Sequence, residues 1–222
     1  MMFAAGFGTR MGALTADLPK PLIQVAGKPL IDHALDLVED FGADRTVVNL
    51  HYKPEMLEKH LSSRNVLFSH ETPDVLETGG GLRAALPLLG DGPVFTLNTD
   101  AVWQGPSPLS QLAQAWRPAE MDALLLCIPP DQAQGHTGAG DFLIDADGRA
   151  TWGPGLIYSG LQIIKPDRLQ DIPDSSFSLH LLWNKMLADE RVFALPYPGA
   201  WCDVGQPASI ALAEAMLGYA NV

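Results

Sequence analysis

Along the first half of the chain, apolar runs of strand length alternate with amphipathic stretches. Met1–Ala4, Thr46–Leu50, Val66–Phe68, Val94–Leu97 and Ala123–Ile128 read as strands. Pro29–Phe41, Pro54–His60, Gly80–Leu86 and Leu109–Trp116 read as helices. Pro29 and Pro54 sit where a helix tolerates proline, since the first turn has no internal acceptor for the missing N–H. Such alternation predicts an α/β domain with a mostly parallel sheet.

The second half is less regular. Asp141–Ile144, Ala150–Trp152 and Leu156–Ile164 read as shorter strands broken by turns such as Asp147-Gly148. A helix at Ser178–Ala188, a strand at Val192–Leu195 and a closing helix at Pro207–Leu217 follow, and the Pro-, Gly- and Gln-rich stretch Pro129–Gly140 reads as a mobile loop. With no repeat and no linker, the pattern predicts one domain over 1–222. Residues 1–128 would form a nucleotide-binding part and 129–222 a smaller antiparallel sugar-binding lobe, once the chemistry below is taken into account.

Composition narrows the function. A 47% hydrophobic, 18% charged chain can bury a core. No apolar run approaches the roughly 18–20 residues that span a bilayer, and the start lacks the basic and apolar regions of a secretion signal. Two distant cysteines, Cys127 and Cys202, suit neither a disulfide framework nor a metal knuckle. These features point to the cytoplasm. A net charge of −12 argues against a nucleic-acid partner. Residues 1–31 nevertheless hold Arg10, Lys20 and Lys28 against one acid, Asp17. That cationic stretch is also glycine-rich, which suggests a small anion site, although three residues are also compatible with chance clustering.

The glycines of Ala4-Ala5-Gly6-Phe7-Gly8-Thr9-Arg10-Met11-Gly12 follow a short apolar strand, where backbone N–H groups can turn inward around phosphate oxygens. Arg10 can add a charge-assisted contact. Lys20, held between Pro19 and Pro21, sits on a stiff backbone and suits charge that develops on a phosphoryl group. A dinucleotide-binding turn would lead directly into a helix, but Leu18-Pro19-Lys20-Pro21-Leu22 cannot be an uninterrupted one. Asp100 closes an apolar run at the carboxyl end of a strand, where α/β sheets bind ligands, or else it is a turn or capping residue. Asp203 lies between Trp201-Cys202 and Val204-Gly205, a setting an acid rarely occupies unless paired or metal-bound. The six histidines show no ligand spacing, and Cys202 and the tryptophans read as packing. Asp141 reads either as a sugar contact or as a turn residue.

Ala4–Met11 followed by Pro19-Lys20-Pro21-Leu22 and Gly27-Lys28-Pro29-Leu30-Ile31 resembles the signature of the sugar-1-phosphate nucleotidyltransferases. Leu76-Glu77-Thr78-Gly79-Gly80-Gly81 resembles the family's nucleoside loop, and Leu97-Asn98-Thr99-Asp100 its first metal-binding strand end. Tyr158-Ser159-Gly160 resembles a sugar-contacting turn, and Trp201-Cys202-Asp203-Val204-Gly205 the segment with a second metal aspartate. The resemblance implies a three-layer, Rossmann-like α/β fold. It assigns Ala5, Gly6, Gly8, Thr9, Arg10 and Lys20 to the triphosphate and Thr78 and Gly79 to the nucleoside. Asp141, Ser159 and Gly160 would face the sugar, and Asp100 and Asp203 would hold Mg²⁺, with Arg10, Lys20 and the two aspartates forming the catalytic set. It further implies nucleotidyl transfer from a nucleoside triphosphate to a sugar 1-phosphate with release of pyrophosphate.

A uridylyltransferase branch acting on N-acetylmuramic acid 1-phosphate, in cell-wall sugar recycling, resembles this chain in Glu77–Gly81 and Ala85–Asp91. It implies UTP as the nucleotide. A mannose- or other hexose-1-phosphate enzyme, or a silent sugar-nucleotide sensor, is the alternative. Three positions depart from the common family pattern: Thr99 and Glu77 replace glycine, and Gln206 replaces threonine. The basic residues of the sugar-binding part, Arg149, Lys165, Arg168, Lys185 and Arg191, are few for a sugar that carries a lactyl carboxylate.

Overall fold

A computed structural model describes residues 1–219. In chain order its elements are β1 (Met2–Phe3), β2 (Gln24–Val25), β3 (Lys28–Pro29), α1 (Leu30–Phe41), β4 (Val47–Leu50), α2 (Pro54–His60) and β5 (Leu67–His70). Next come α3 (Glu77–Leu89), β6 (Val94–Asn98), β7 (Ala101–Gln104), α4 (Pro108–Ala115), β8 (Ala123–Ile128), β9 (Ala133–Gln134), β10 (Phe142–Ile144) and β11 (Ala150–Trp152). β12 (Ile157–Ile164), α5 (His180–Ala188), β13 (Val192–Pro196), β14 (Ala200–Asp203) and α6 (Ala208–Met216) complete the chain.

Seven strands form the main sheet in the order β13-β8-β12-β6-β1-β4-β5. Every neighbouring pair is parallel except the two made by β12. β8 is apolar throughout because helices cover both sheet faces. Leu124, Leu126 and Ile128 cluster with Ile31, Leu35 and Val38 of α1 and Leu109 and Leu112 of α4. Ala123, Leu125 and Cys127, pointing the other way, cluster with Leu82 and Ala85 of α3 and Leu182, Trp183 and Met186 of α5. The three-layer, mostly parallel α/β architecture is thus as expected.

Several local features differ from expectation. β12 is eight residues long and lies at the centre of the main sheet rather than in a side lobe, and β13 forms its edge, so the part after residue 128 shares the main core. α3 begins three residues before the expected Gly80, because its glycines are helical. The stretch expected to be a mobile loop contributes β9, and four further strands escaped the reading, the short pair β2 and β3 as well as β7 and β14. The last two join β9 in a second sheet of order β7-β14-β9. Their residues alternate small, aromatic and polar types, which leaves no long apolar run for a period of two to show.

Connectivity locates the ligand site. From β1 the chain passes to β4 and β5 on one side; α3 then carries it back to β6 on the other. The loops after β1 and β6 therefore diverge and leave a crevice at the carboxyl ends of these strands.

Candidate active site

A cleft of about 460 Å³ opens at this divergence. It is lined by Ala4–Arg10, by Lys20 and Pro21, by Asn98–Asp100, and by Glu77, Thr78 and Ser178 of the facing wall. The loop after β1 is held from beneath: the Gly8 carbonyl accepts from the Met11 N–H (2.9 Å) and the Thr15 hydroxyl (3.1 Å). Gly8 has φ +63, and a Cβ there would lie 2.8 Å from Lys20 Cβ. Only glycine lets the loop and the Pro19-Lys20-Pro21 backbone pack this closely.

Lys20 is 9% exposed and donates from Nζ to Asp100 Oδ2 at 2.7 Å. Asp100 leaves the end of β6 through Thr99, whose hydroxyl donates to the Phe3 carbonyl at 2.8 Å. The hydroxyl at this departure from the family pattern therefore ties β6 to β1. The second sheet then brings in Asp203. In the antiparallel β7–β14 pair Asp203 stands opposite Ala101, and the Val204 N–H donates to the Asp100 carbonyl at 2.8 Å. Burial, reinforced by the charge of Asp100, pushes the Asp203 carboxyl above the usual carboxylate range against the pull of Lys20, Arg10 and His136. Gly205 completes the corner: a Cβ there would sit 2.9 Å from Asp203 Oδ2 and 3.1 Å from Arg10 Nη1. Arg10 and Lys20 of the stretch after β1, Asp100 after β6 and Asp203 of β14 thus come together, with Asp203 just behind the cleft lining.

Among the described residues no group of three or more His, Cys, Asp and Glu side chains gathers to hold a metal. Asp203, its proton affinity raised by burial and by the charge of Asp100, and Asp100 itself nevertheless suit a hard divalent cation whose other ligands are phosphate oxygens and water. The residues fit Mg²⁺ in that shared sense. Neighbouring Cys202 is fully buried, and burial and Asp203 push its thiol up to about 12, leaving it no nucleophilic role near neutral pH.

The facing wall divides the remaining candidates. Thr78 lines the cleft, with Oγ1 accepting the Leu179 N–H at 3.0 Å. Gly79 does not line it. The Gly79 N–H donates to the Phe177 carbonyl at 2.8 Å, and its missing side chain makes room for the Phe177 ring. Glu77, also in the cleft, is left-handed at φ +57, which glycine adopts freely and another residue adopts at a cost of about 1 kcal/mol.

Asp141, Ser159 and Gly160 lie outside the cleft lining. The Ser159 hydroxyl donates to the Leu126 carbonyl at 2.6 Å, and Asp141 Oδ2 accepts the Tyr158 N–H at 2.8 Å. Gly160, with φ +86, sits in a bulge of β12 that lets Asn98 approach. Four cations of the second half are engaged elsewhere: Arg149 with Asp147, Arg168 with Asp189, and both Lys165 and Arg191 with Asp122. Among the cleft-lining residues that escaped the sequence reading are Asn49 and Glu71. Asn49 carried a signal, since it interrupts the apolar run Val47-Val48-Asn49-Leu50.

Known proteins share this sequence and fold. The MobA-like NTP transferase domain family matches residues 1–194. An N-acetylmuramate alpha-1-phosphate uridylyltransferase of Caulobacter vibrioides is 40% identical, with 99% of this chain and 97% of that protein covered. A protein of the same name from Neisseria meningitidis is 32% identical, over 98% of this chain and 97% of its own length. In fold, HddC from Yersinia pseudotuberculosis, solved in complex with GMP-PN, superposes with a TM-score of 0.79 at 23% identity, covering 97% of both chains. The chain therefore belongs to the MobA-like NTP transferase family, among its sugar-1-phosphate nucleotidyltransferases.

Proposed function

We propose that this chain transfers a uridylyl group from UTP to N-acetylmuramic acid 1-phosphate in the cytoplasm, using Mg²⁺ and releasing pyrophosphate. The observation that carries the transfer chemistry is the meeting of Lys20, Asp100 and Asp203 beside the glycine loop. The choice of sugar and base is supported by the two full-length relatives of that name.

In this reaction an oxygen of the sugar phosphate attacks the α-phosphorus of UTP, a new P–O bond forms, and the bond to the β-phosphate oxygen breaks. The electron pair leaves on pyrophosphate. A phosphate monoester, with its second pKa near ~6, is already largely ionised at neutral pH, so no general base is required. Ala5, Gly6, Gly8 and Thr9 bind the triphosphate through the loop after β1, with Arg10 adding charge. Lys20, prepositioned by its prolines and by Asp100, stabilises charge that grows at the α-phosphate. Asp100 and Asp203 hold the Mg²⁺ ion, which when bound offsets the repulsion between the two substrates. Thr78 borders the nucleoside. Asp141, Ser159 and Gly160 act on the sugar side by shaping β12 and the turn before it. Because four cations of the second half are paired with their own acids, backbone N–H groups of the Gly138–Gly140 turn are the better partners for the lactyl carboxylate.

Pyrophosphate release, measured with four nucleoside triphosphates against a panel of sugar 1-phosphates, tests the reading. UTP with N-acetylmuramic acid 1-phosphate should give the highest kcat/KM. A higher value with mannose or glucose 1-phosphate would overturn the sugar assignment and leave the transfer chemistry intact. Absence of turnover with every pair in Mg²⁺ would make the protein a binder instead.

A further inference from the structure

Asn49 and Glu71 are 3% and 1% exposed, yet both border the cleft, and neither has a part in the chemistry proposed above. They form an unbranched chain of hydrogen bonds. The Ala4 N–H donates to Asn49 Oδ1 at 2.7 Å, Asn49 Nδ2 donates to Glu71 Oε1 at 2.6 Å, and Glu71 Oε2 accepts the Leu76 N–H at 2.6 Å. Ala4 is the first residue of the phosphate loop, and Leu76 leads into Glu77 and Thr78. The chain of bonds therefore runs under the cleft floor from one wall to the other. Its seat is tightly made. The Glu71 N–H donates to the Leu50 carbonyl at 2.9 Å, and a Cβ on Gly81 would collide with Glu71 Oε1. The third glycine of Gly79-Gly80-Gly81 thus makes room for this carboxylate rather than for a ligand.

The two side chains are dictated by what lies at the ends. Both ends are backbone N–H donors, so the pair between them must accept at each end and supply one donor in the middle. An amide followed by a carboxylate does this; so does a carboxylate followed by an amide. Two ionised carboxylates leave the middle without a donor, so one must take up a proton to fill it, and two amides force one N–H to face another.

We propose that Asn49 and Glu71 are positioning residues that set the span between the phosphate loop and the Glu77-Thr78 wall, and so hold the nucleotide at both ends in register. The proposal rests on the nucleotidyl-transfer reading and adds a specific pair to it. Asn49→Asp and Glu71→Gln are each isosteric, and each breaks the donor count; combined, they restore it with the charge moved from one residue to the other.

The experiment compares wild type, N49D, E71Q and N49D/E71Q by pyrophosphate-release kinetics, well below each melting temperature, together with thermal melts. Each single change should lower kcat/KM for the nucleotide by roughly tenfold or more, mainly through KM, with the KM for the sugar 1-phosphate little altered. The swapped pair should recover most of that loss. Unchanged nucleotide KM in the folded single variants, with only the melting temperature lowered, would overturn the proposal by making the pair structural. A double variant no better than the worse single would overturn it too. If wild type itself released no pyrophosphate, the reading of function would fail first; calorimetric titration of UTP into the same four proteins would then judge the pair, and the same affinity, or none, in all four would overturn it.

Discussion

Asp122 and Asp203 are both acids placed beside core residues at strand ends, and the two ends of the molecule treat them in opposite ways. Asp122 precedes β8 at the end of the main sheet remote from the cleft, where Ala123 pairs with Ile164 and Ile164 with Val94 at the start of β6. There Lys165 Nζ and Arg191 Nε both lie 2.9 Å from Asp122 Oδ1. Burial pushes its carboxyl up, but hydrogen bonds from Lys165 and Arg191 outweigh it and hold the group below the usual range. Asp203 is half-buried beside another carboxylate and is pushed above that range. Charge at the far end is satisfied within the chain. At the cleft Lys20 pairs with Asp100, and the charge of Asp203 is left for something that binds, at a cost to the folded state.

The contrast breaks most directly through activity. Asp203→Asn and Asp100→Asn should each lower turnover by roughly 10²–10³-fold or more in folded protein, whereas Asp122→Asn should leave it unchanged. Circular dichroism with pyrophosphate release checks this, and full activity of either cleft variant would end the two-aspartate assignment. Next in size is Lys20→Met. A group that stabilises charge growing in the transition state acts on kcat, so about 10²-fold should be lost there. A rise in nucleotide KM alone would make Lys20 a ground-state binder.

Gly205→Ala sharpens the comparison without removing a charge. Its Cβ would press on Asp203 Oδ2 and Arg10 Nη1, so kcat/KM should fall roughly five- to tenfold. Differential scanning calorimetry should show little loss of stability.

The smallest effects are in stability and carry opposite signs. A carboxyl held low in the fold contributes stability above its unfolded pKa, and the contribution is lost as pH falls through the folded value. Asp122→Asn should therefore cost about 1 kcal/mol at pH 7, discounted for the part-exposed cations, and almost nothing in strong acid. A carboxyl held high costs the fold stability once ionised. Asp203→Asn should accordingly raise the melting temperature of metal-free protein at neutral pH, with the gain vanishing below the ordinary carboxylate range. Equal losses from both variants at pH 7 would dissolve the distinction between the two ends.

Much of the fold was legible because its signals are local. β8 is an apolar run, β4 is one broken only by Asn49, α1 has an apolar stripe from Leu30 to Val38, and Pro54 opens α2. The charged residues of the cleft were legible for a related reason. Lys20 is stiffened by its two neighbours, and Asp203 stands out among apolar ones, so each signal lies within three residues. The glycine run was ambiguous, because glycine says only that space or backbone freedom is needed. Whether that space receives a nucleoside or Phe177 and Glu71 depends on segments far away in the chain. Ser159 and Asp141 are ambiguous in the same way: a polar residue in a turn reads the same whether it meets a sugar or the Leu126 carbonyl and the Tyr158 N–H.

The sequence by itself determined the layering of the domain, the stiff cationic loop, and the identity of the acids available to it. Periodicity and backbone restriction act between near neighbours and leave their mark in composition. Long-range packing is what runs β12 antiparallel through the middle of the sheet, lets β7 and β14 set Asp203 beside Asp100, and makes Asn49 and Glu71 join the cleft walls. Those pairings span tens of residues. Their strength depends on burial and hydrogen-bond direction, which exist only once the chain has closed on itself.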